Sequence, residues 1–234
     1  VPTMPALLAD PMTRWMGRPA TVTEAVRLSP GLARVRFSGQ ALRDRAWRPG
    51  CEIEFRVTER DFRHYTPSAF DAEEGWVEVL FQLHDRGPGG LWAGRLAVGD
   101  EVLVLGPGSR TWLRPGTSHL FAGDATTLGL FEALDTALGQ DAEVTGAVEV
   151  PEPDVTAVQA LLPRLDVLQA EEQPGRALAR WLGERVTTRP GTACLAGHAQ
   201  TIQELRVLLC APGVGMRRRD VVTKPYWATG KRGL

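Results

Sequence analysis

Cysteine is scarce. The 234-residue chain has three, Cys51, Cys194 and Cys210, far apart and without a C-x-x-C pair. Neither a disulfide framework nor a zinc site follows, and a reducing cytoplasm fits best. An excess of one charge is also missing: 27 basic residues face 28 acidic ones, a net charge of −1. That removes any case for whole-molecule attraction to nucleic acid or to a membrane surface. No apolar run approaches the ~18 residues of a membrane span. Val1 to Met16 lacks a basic start followed by an apolar core, so residues 1–16 are expected to be a loose tail rather than a signal peptide. No His/Cys/carboxylate cluster suggests metal ligands, no G-x-G-x-x-G marks an ordinary Rossmann phosphate loop, and no internal repeat stands out. What remains is an ordinary globular composition in a chain long enough for two compact domains.

From Arg18 to about Arg114 short alternating segments are broken by Gly and Pro. In Cys51–Val57 every second residue is apolar, which predicts one buried and one wet face. Val77, Val79 and Phe81 repeat the alternation around Glu78 and Gln82, and Ala33, Val35 and Phe37 alternate with Arg34 and Arg36. Val102 to Leu105 is apolar throughout and is expected to be covered on both faces. Strands spaced this way predict an antiparallel barrel or sandwich. Within it stands Arg63-His64-Tyr65-Thr66, an R-x-Y-T stretch. Arg and Tyr two apart on a strand share a face. That set suits a flavin dinucleotide: guanidinium on pyrophosphate, phenol against the isoalloxazine, Thr66 hydroxyl near flavin N5. The same residues also read as a surface charge beside a half-buried strand aromatic. Further on, His84-Asp85-Arg86-Gly87-Pro88-Gly89-Gly90-Leu91-Trp92-Ala93 leads from a strand into a short helix. Gly87 to Gly90 let backbone N–H groups approach a ligand, a phosphate cradle opposite the Arg63 strand, or else form a plain loop.

After Pro115-Gly116-Thr117-Ser118 strands alternate with amphipathic helices: strand 119–124, helix 126–138, strands 144–150 and 165–168, helix 177–182, strand 192–197 and helix 200–209. Val221-Val222-Thr223 then leads into a tail. The alternation predicts a parallel sheet with its ligand crevice at the strands' carboxyl ends. Two such ends, Ala122-Gly123-Asp124 and Ala196-Gly197-His198, place small residues where a dinucleotide pyrophosphate would sit; good packing accounts for them equally. Glu149, closing a strand ~25 residues after Asp124, stands near where a ribose-binding acid is expected and leans toward NADH. Beyond Met216 the chain turns basic: Arg217, Arg218, Arg219, Lys224, Lys231 and Arg232 oppose one acid, Asp220. The run reads either as a solvated face or, with Tyr226 and Trp227 beside it, as a binding segment.

In this order the features resemble the siderophore-interacting protein family, FAD-dependent ferric-siderophore reductases of the ferredoxin-reductase-like superfamily. The matching pieces are Arg63, Tyr65 and Thr66; His84, Gly87, Pro88, Trp92 and Ala93; Gly99, Asp100, Gly106, Pro107 and Gly108; Ala122-Gly123-Asp124; Ala196-Gly197; and Tyr226, Trp227 and Gly230. The resemblance implies a β-barrel plus α/β architecture: an N-terminal antiparallel FAD-binding barrel over residues 17–114, then a parallel-sheet, nicotinamide-binding-like domain over 118–234 with a basic C-terminal segment.

It also implies a flavoprotein oxidoreductase moving electrons from NADH or NADPH to a ferric chelate or another anionic small molecule. FAD would be held by Arg63, Tyr65, Thr66, His84, Gly87, Gly89, Gly90, Leu91 and Trp92, and the nicotinamide cofactor by Gly123, Asp124, Thr126 and Gly197. Tyr65, Thr66 and Trp227 would stand at the reacting centre, and the acceptor would meet Lys224, Tyr226, Trp227, Lys231 and Arg232. Four positions depart from the family pattern. Gly90 stands where Ser or Thr is usual, Ser68 where Arg is common, and Ala125 and His198 where acids are usual. These departures keep two alternatives in view, a flavin-reductase fold turned to non-redox (or flavin-dependent) chemistry on a small organic substrate in a biosynthetic pathway, and a chelate-binding module without turnover.

Overall fold

The chain is described by a computed structural model covering residues 16–85, 87–108, 112–116 and 118–231. Residues 1–15 of the expected tail, and Arg232, lie outside the described residues. Two compact units follow one another, Val1–Thr111 and Trp112–Leu234.

The first unit is a seven-stranded sheet with every described pair antiparallel. Its strands are β1 (Arg18–Ser29), β2 (Leu32–Ser38), β3 (Glu52–Arg56), β4 (Phe62–Tyr65), β5 (Ala69–Asp71), β6 (Trp76–Gln82) and β7 (Glu101–Gly108), with helix α1 (Pro88–Ala93) between the last two. The order β4-β3-β7-β1-β2-β6-β5 puts the consecutive strands β4 and β5 at opposite edges. Residues 66–68, which join them, reach at most ~14 Å, whereas seven strands laid flat ~4.8 Å apart would separate the edges by ~29 Å. The sheet therefore rolls into a barrel-like form. Alternation supplies its core: Val35, Phe37, Ile53, Phe55, Val77, Val79, Phe81 and Val104 are all buried. Phe37 and Phe55 meet at 4.8 Å between ring centroids, and a fully buried ring of this kind is worth about 1.5–3 kcal/mol.

Two expectations fail here. Glu78 is not wet: it is only 6% exposed, under Arg34 at 3.4 Å and Arg36 at 3.0 Å. Paired arginines from the neighbouring strand cover what alternation assigned to solvent. Nor is β7 covered on both faces along its length, since Leu103 is 38% exposed and full coverage is confined to Val104 and Leu105.

The second unit is a parallel five-stranded sheet with helices. Its strands are β8 (Ser118–Asp124), β9 (Glu143–Val150), β10 (Asp166–Gln169), β11 (Thr192–His198) and β12 (Val221–Trp227), in the order β10-β9-β8-β11-β12. The helices are α2 (Leu128–Leu138), α3 (Val155–Leu161), α4 (Arg176–Arg185) and α5 (Ala199–Cys210). Leu128, Phe131 and Leu134 bury the face of α2 that periodicity predicts, with Phe131 stacked on Phe121 at 5.3 Å. Two elements were not expected. Helix α3 is short and follows Pro151 and Pro153. The basic segment is not a tail: residues 221–227 form edge strand β12, parallel to β11. Strand order reverses between β8 and β11, so the carboxyl ends of these two strands flank the crevice where such sheets bind ligands.

Candidate functional site

In the first unit, register puts Arg63 opposite Phe55 and Tyr65 opposite Ile53. Arg63 and Tyr65 therefore share the face from which Phe55 and Ile53 enter the core, as their spacing predicts. Tyr65 packs edge-on against Phe81 at 4.7 Å. Burial pushes its phenol pKa well above the ordinary value, against the opposing effect of the Arg63 charge, so the hydroxyl stays protonated and able to donate. Arg63 Nη1 donates to the Phe62 carbonyl at 2.7 Å, and the guanidinium lies 3.9 Å from Asp61. Four further N–H donors remain on that fork.

Helix α1 lies directly over this pair. A Cβ built on Gly89 would stand 2.7 Å from the Tyr65 hydroxyl and 3.3 Å from Arg63 Cγ; one on Gly90 would stand 2.4 Å from the His84 carbonyl oxygen. The glycines thus bring the helix down onto the protein's own strand and loop. Space for a ligand is not their first use. The outcome is still the juxtaposition expected of a phosphate cradle, because the first-turn amides of a helix have no intrahelical acceptor, and here they sit beside Arg63. The Ser or Thr usual at position 90 does not fit. Trp92 turns its ring into the core against Phe55 at 5.0 Å and so anchors α1, while Leu91 is 44% exposed. Thr66 is buried, His84 is exposed and Gly87 is the N-terminal boundary residue of α1. The Arg63 guanidinium and the backbone amides beside it are donors of the kind a pyrophosphate accepts.

In the second unit, Asp124 joins the two strand ends. Its Oδ1 accepts from the Thr126 amide at 2.9 Å and from the Thr126 hydroxyl. Its Oδ2 accepts from the His198 amide at 2.8 Å and from Trp227 Nε1 at 2.9 Å. Gly197 makes the approach possible: its φ is +101°, and a Cβ there would lie 2.3 Å from Asp124 Oδ2. His198 is buried, with Nδ1 2.8 Å from Thr201 Oγ1, Nε2 2.9 Å from Thr229 Oγ1, and its ring 4.3 Å from that of Trp227. Gly197 pairs with Pro225 but His198 pairs with Trp227, so Tyr226 is an extra residue in β12. The bulge re-aims the strand and brings Trp227 opposite His198.

Gly123, Asp124, Thr126 and Gly197, expected together, are together. Trp227 joins them, whereas its placement among the acceptor residues had no such partner in view. Lys224 and Tyr226 lie half-buried on β12, and Lys231 is exposed. Glu149 overturns the lean toward NADH. It is 4% exposed, and its two oxygens accept from the Gly175 and Leu178 amides, each at 2.8 Å. The carboxylate caps α4 and is unavailable to a ribose. No spacing rule reveals that bond, because it links residues 26 and 29 positions apart.

Residues 56–111 match the siderophore-interacting FAD-binding domain family. Over 180 residues the chain is 25% identical to the ferric vibriobactin reductase ViuB of Vibrio cholerae, covering 72% of this chain and 65% of that protein. The chain thus spans less than two thirds of the curated relative it matches. Among solved structures, a siderophore utilization protein from T. fusca superposes with a TM-score of 0.78 at 23% identity, covering 93% of this chain and 95% of that one. Phthalate dioxygenase reductase, which transfers electrons from pyridine nucleotides to [2Fe-2S], superposes at 0.74 with 10% identity, covering 93% and 70%. At these identities the superpositions establish the fold.

Proposed function

We propose, from the match of residues 56–111 to the siderophore-interacting FAD-binding domain family and from the ferredoxin-reductase-like fold, that the chain passes electrons from NADH or NADPH to a ferric siderophore or similar anionic ferric chelate. The observation that carries this reading is local. The stretch matching the FAD-binding family is the stretch in which α1 lies on Arg63 and Tyr65. We assign FAD to the first unit, with Arg63 on the pyrophosphate, Tyr65 and Thr66 at the flavin ring, the Gly87, Gly89 and Gly90 amides on phosphate, and His84, Leu91 and Trp92 flanking them. When bound, FAD supplies the link between a donor of two electrons, as one hydride, and two ferric centres that each take one. Fe(II), softer and less charged, leaves hard oxygen ligands more readily.

The chain's own residues do the rest. Arg63 offers N–H donors to phosphate oxygens, and Tyr65, its phenol pKa raised by burial, presents a neutral hydroxyl at the flavin ring. The nicotinamide cofactor belongs with Gly123, Asp124, Thr126 and Gly197 in the second unit, which has the parallel-sheet form of pyridine-nucleotide domains. Lys224, Tyr226, Trp227, Lys231 and Arg232 receive the acceptor, their charge drawing in an anion. The curated relative's name, a ferric vibriobactin reductase, supports that class of acceptor. Three cysteines outside any disulfide support a reducing, cytoplasmic setting, and no helix among the described residues is long and apolar enough to cross a membrane.

Purified protein should be yellow, and Arg63→Ala should weaken FAD binding by about 1.5–3 kcal/mol, the scale of a charged hydrogen bond, read by titration of the apoprotein. Anaerobic addition of NADH or NADPH should bleach the flavin, and a ferric chelate should restore its colour. A colourless protein that takes up no FAD refutes the proposal. A yellow one that neither nucleotide bleaches directs attention to chemistry on a small organic substrate.

A further inference from the structure

We infer that His198 is a positioning residue: with Asp124 it fixes the Trp227 indole as a flat wall of the acceptor site. The inference rests on the acceptor site proposed above. Imidazole and indole planes lie 31° apart with centroids at 4.3 Å. The imidazole is itself held from two sides. Thr201 Oγ1 donates to the Pro174 carbonyl at 3.2 Å, which commits the only hydroxyl proton. His198 Nδ1–H therefore donates to Thr201, leaving Nε2 to accept from the Thr229 hydroxyl. One anchor is in the first turn of α5 and the other follows β12, so the ring cannot rotate without losing both. A second direction of the indole is fixed by its Nε1–H bond to Asp124 Oδ2. A side chain with two χ angles, stacked on one face and hydrogen-bonded at one edge, has little freedom left.

The residue type at 198 follows from the same geometry. An acid there would place a second carboxylate beside Asp124 and could not stack on an indole. The carboxylates facing His198 are Asp124 from β8 and Glu149 from β9; both favour its protonated form, but burial outweighs them and holds its pKa below the ordinary 6.5. The stack is thus between neutral rings at pH 7. Trp227 remains half-exposed, leaving indole surface for a ligand.

Two substitutions separate stacking from hydrogen bonding. His198→Phe keeps a flat ring against Trp227 and gives up both nitrogen bonds, and His198→Ala gives up everything. The first readout needs no turnover. Protonated imidazole quenches an indole stacked on it, so the emission lost on Trp227→Phe should show a pH step below 6.5 that disappears in both position-198 variants. The second is steady-state reduction of a ferric tris-catecholate. His198→Ala should raise its KM roughly 2- to 12-fold, the size of one aromatic stacking contact, with a smaller change in kcat, and His198→Phe should restore the KM. Equal loss in both variants, an unmoved KM, or no emission step in the wild type overturns the positioning role. If the wild type reduces no ferric chelate, the functional reading fails and the emission step alone decides this one.

Discussion

Replacing Gly90 with Ser sets two lines of reasoning against each other. Family resemblance expects a hydroxyl there, adding one hydrogen bond to a bound pyrophosphate. The local geometry says that even the Cβ is too much. It would lie 2.4 Å from the His84 carbonyl oxygen, 2.9 Å from the His84 amide nitrogen and 3.1 Å from His84 Nδ1. The first two contacts are with backbone, which no rotamer change relieves. Overpacking typically costs about 1–3 kcal/mol, and a clash with backbone belongs at the upper end, about 3. For a chain of this size each kcal/mol moves the melting temperature by roughly 2–4 °C, so Gly90→Ser should melt roughly 6–12 °C lower. Alanine at Gly183, exposed within α4 and with nothing within 4 Å of its would-be Cβ, is the matched control and should gain about 0.5–1 kcal/mol. Thermal unfolding followed by circular dichroism, with and without added FAD, measures both. A Gly90→Ser protein that melts at the wild-type temperature and binds FAD more tightly would refute the packing argument and restore the hydroxyl to the cradle.

Glu149→Gln should cost about 1.5–3 kcal/mol of stability in urea unfolding, because an amide NH2 would then face one of the two backbone N–H groups that the carboxylate now accepts. Nucleotide preference should not change; a switch between NADH and NADPH without loss of stability would return Glu149 to a ribose. The lowered pKa of His198 makes stability depend on acid pH. Below about 6.5 the unfolded chain takes up a proton that the folded chain resists, so stability falls with pH until the folded-state pKa is passed. Unfolding midpoints for His198→Gln should be flatter through that window, and an unchanged slope would acquit the residue. Neutralising Lys224, Lys231 and Arg232 together should slow reduction of an anionic ferric chelate more than of a neutral one. The difference should shrink with added salt, since the Debye length is about 8 Å at physiological ionic strength.

Much of this molecule was legible because its two units use two different periods. Ile53 and Phe55 alternate into a barrel-like core, and Leu128, Phe131 and Leu134 recur at helical spacing. What alternation could not supply was the identity of the neighbour across a strand, and Glu78 is buried only because Arg34 and Arg36 cover it. Strand β12 was hidden by Lys224 and Pro225, poor strand formers both. The two glycine-bearing strand ends could be marked in the sequence, but their meeting at Asp124 depends on β8 lying beside β11. Residues 74 and 103 positions away donate to that carboxylate, and separations of that length leave no local trace. Glu149 misled for a similar reason: its spacing suggested a ligand, and its true partners lie at the start of another helix.

The bulge at Tyr226 has an effect on the edge of its own sheet as well as on Trp227. Strand β12 is the last of its sheet, with β11 as its only described strand neighbour. An outermost strand is a standing invitation for a foreign strand to add to it. Pro225 has no amide proton to offer, and the extra residue that follows shifts the register of β12 just where a regular ladder would continue. The irregularity that turns an indole toward His198 thereby also discourages this sheet from growing by a sixth strand, and deleting Tyr226 should make the protein more prone to self-association.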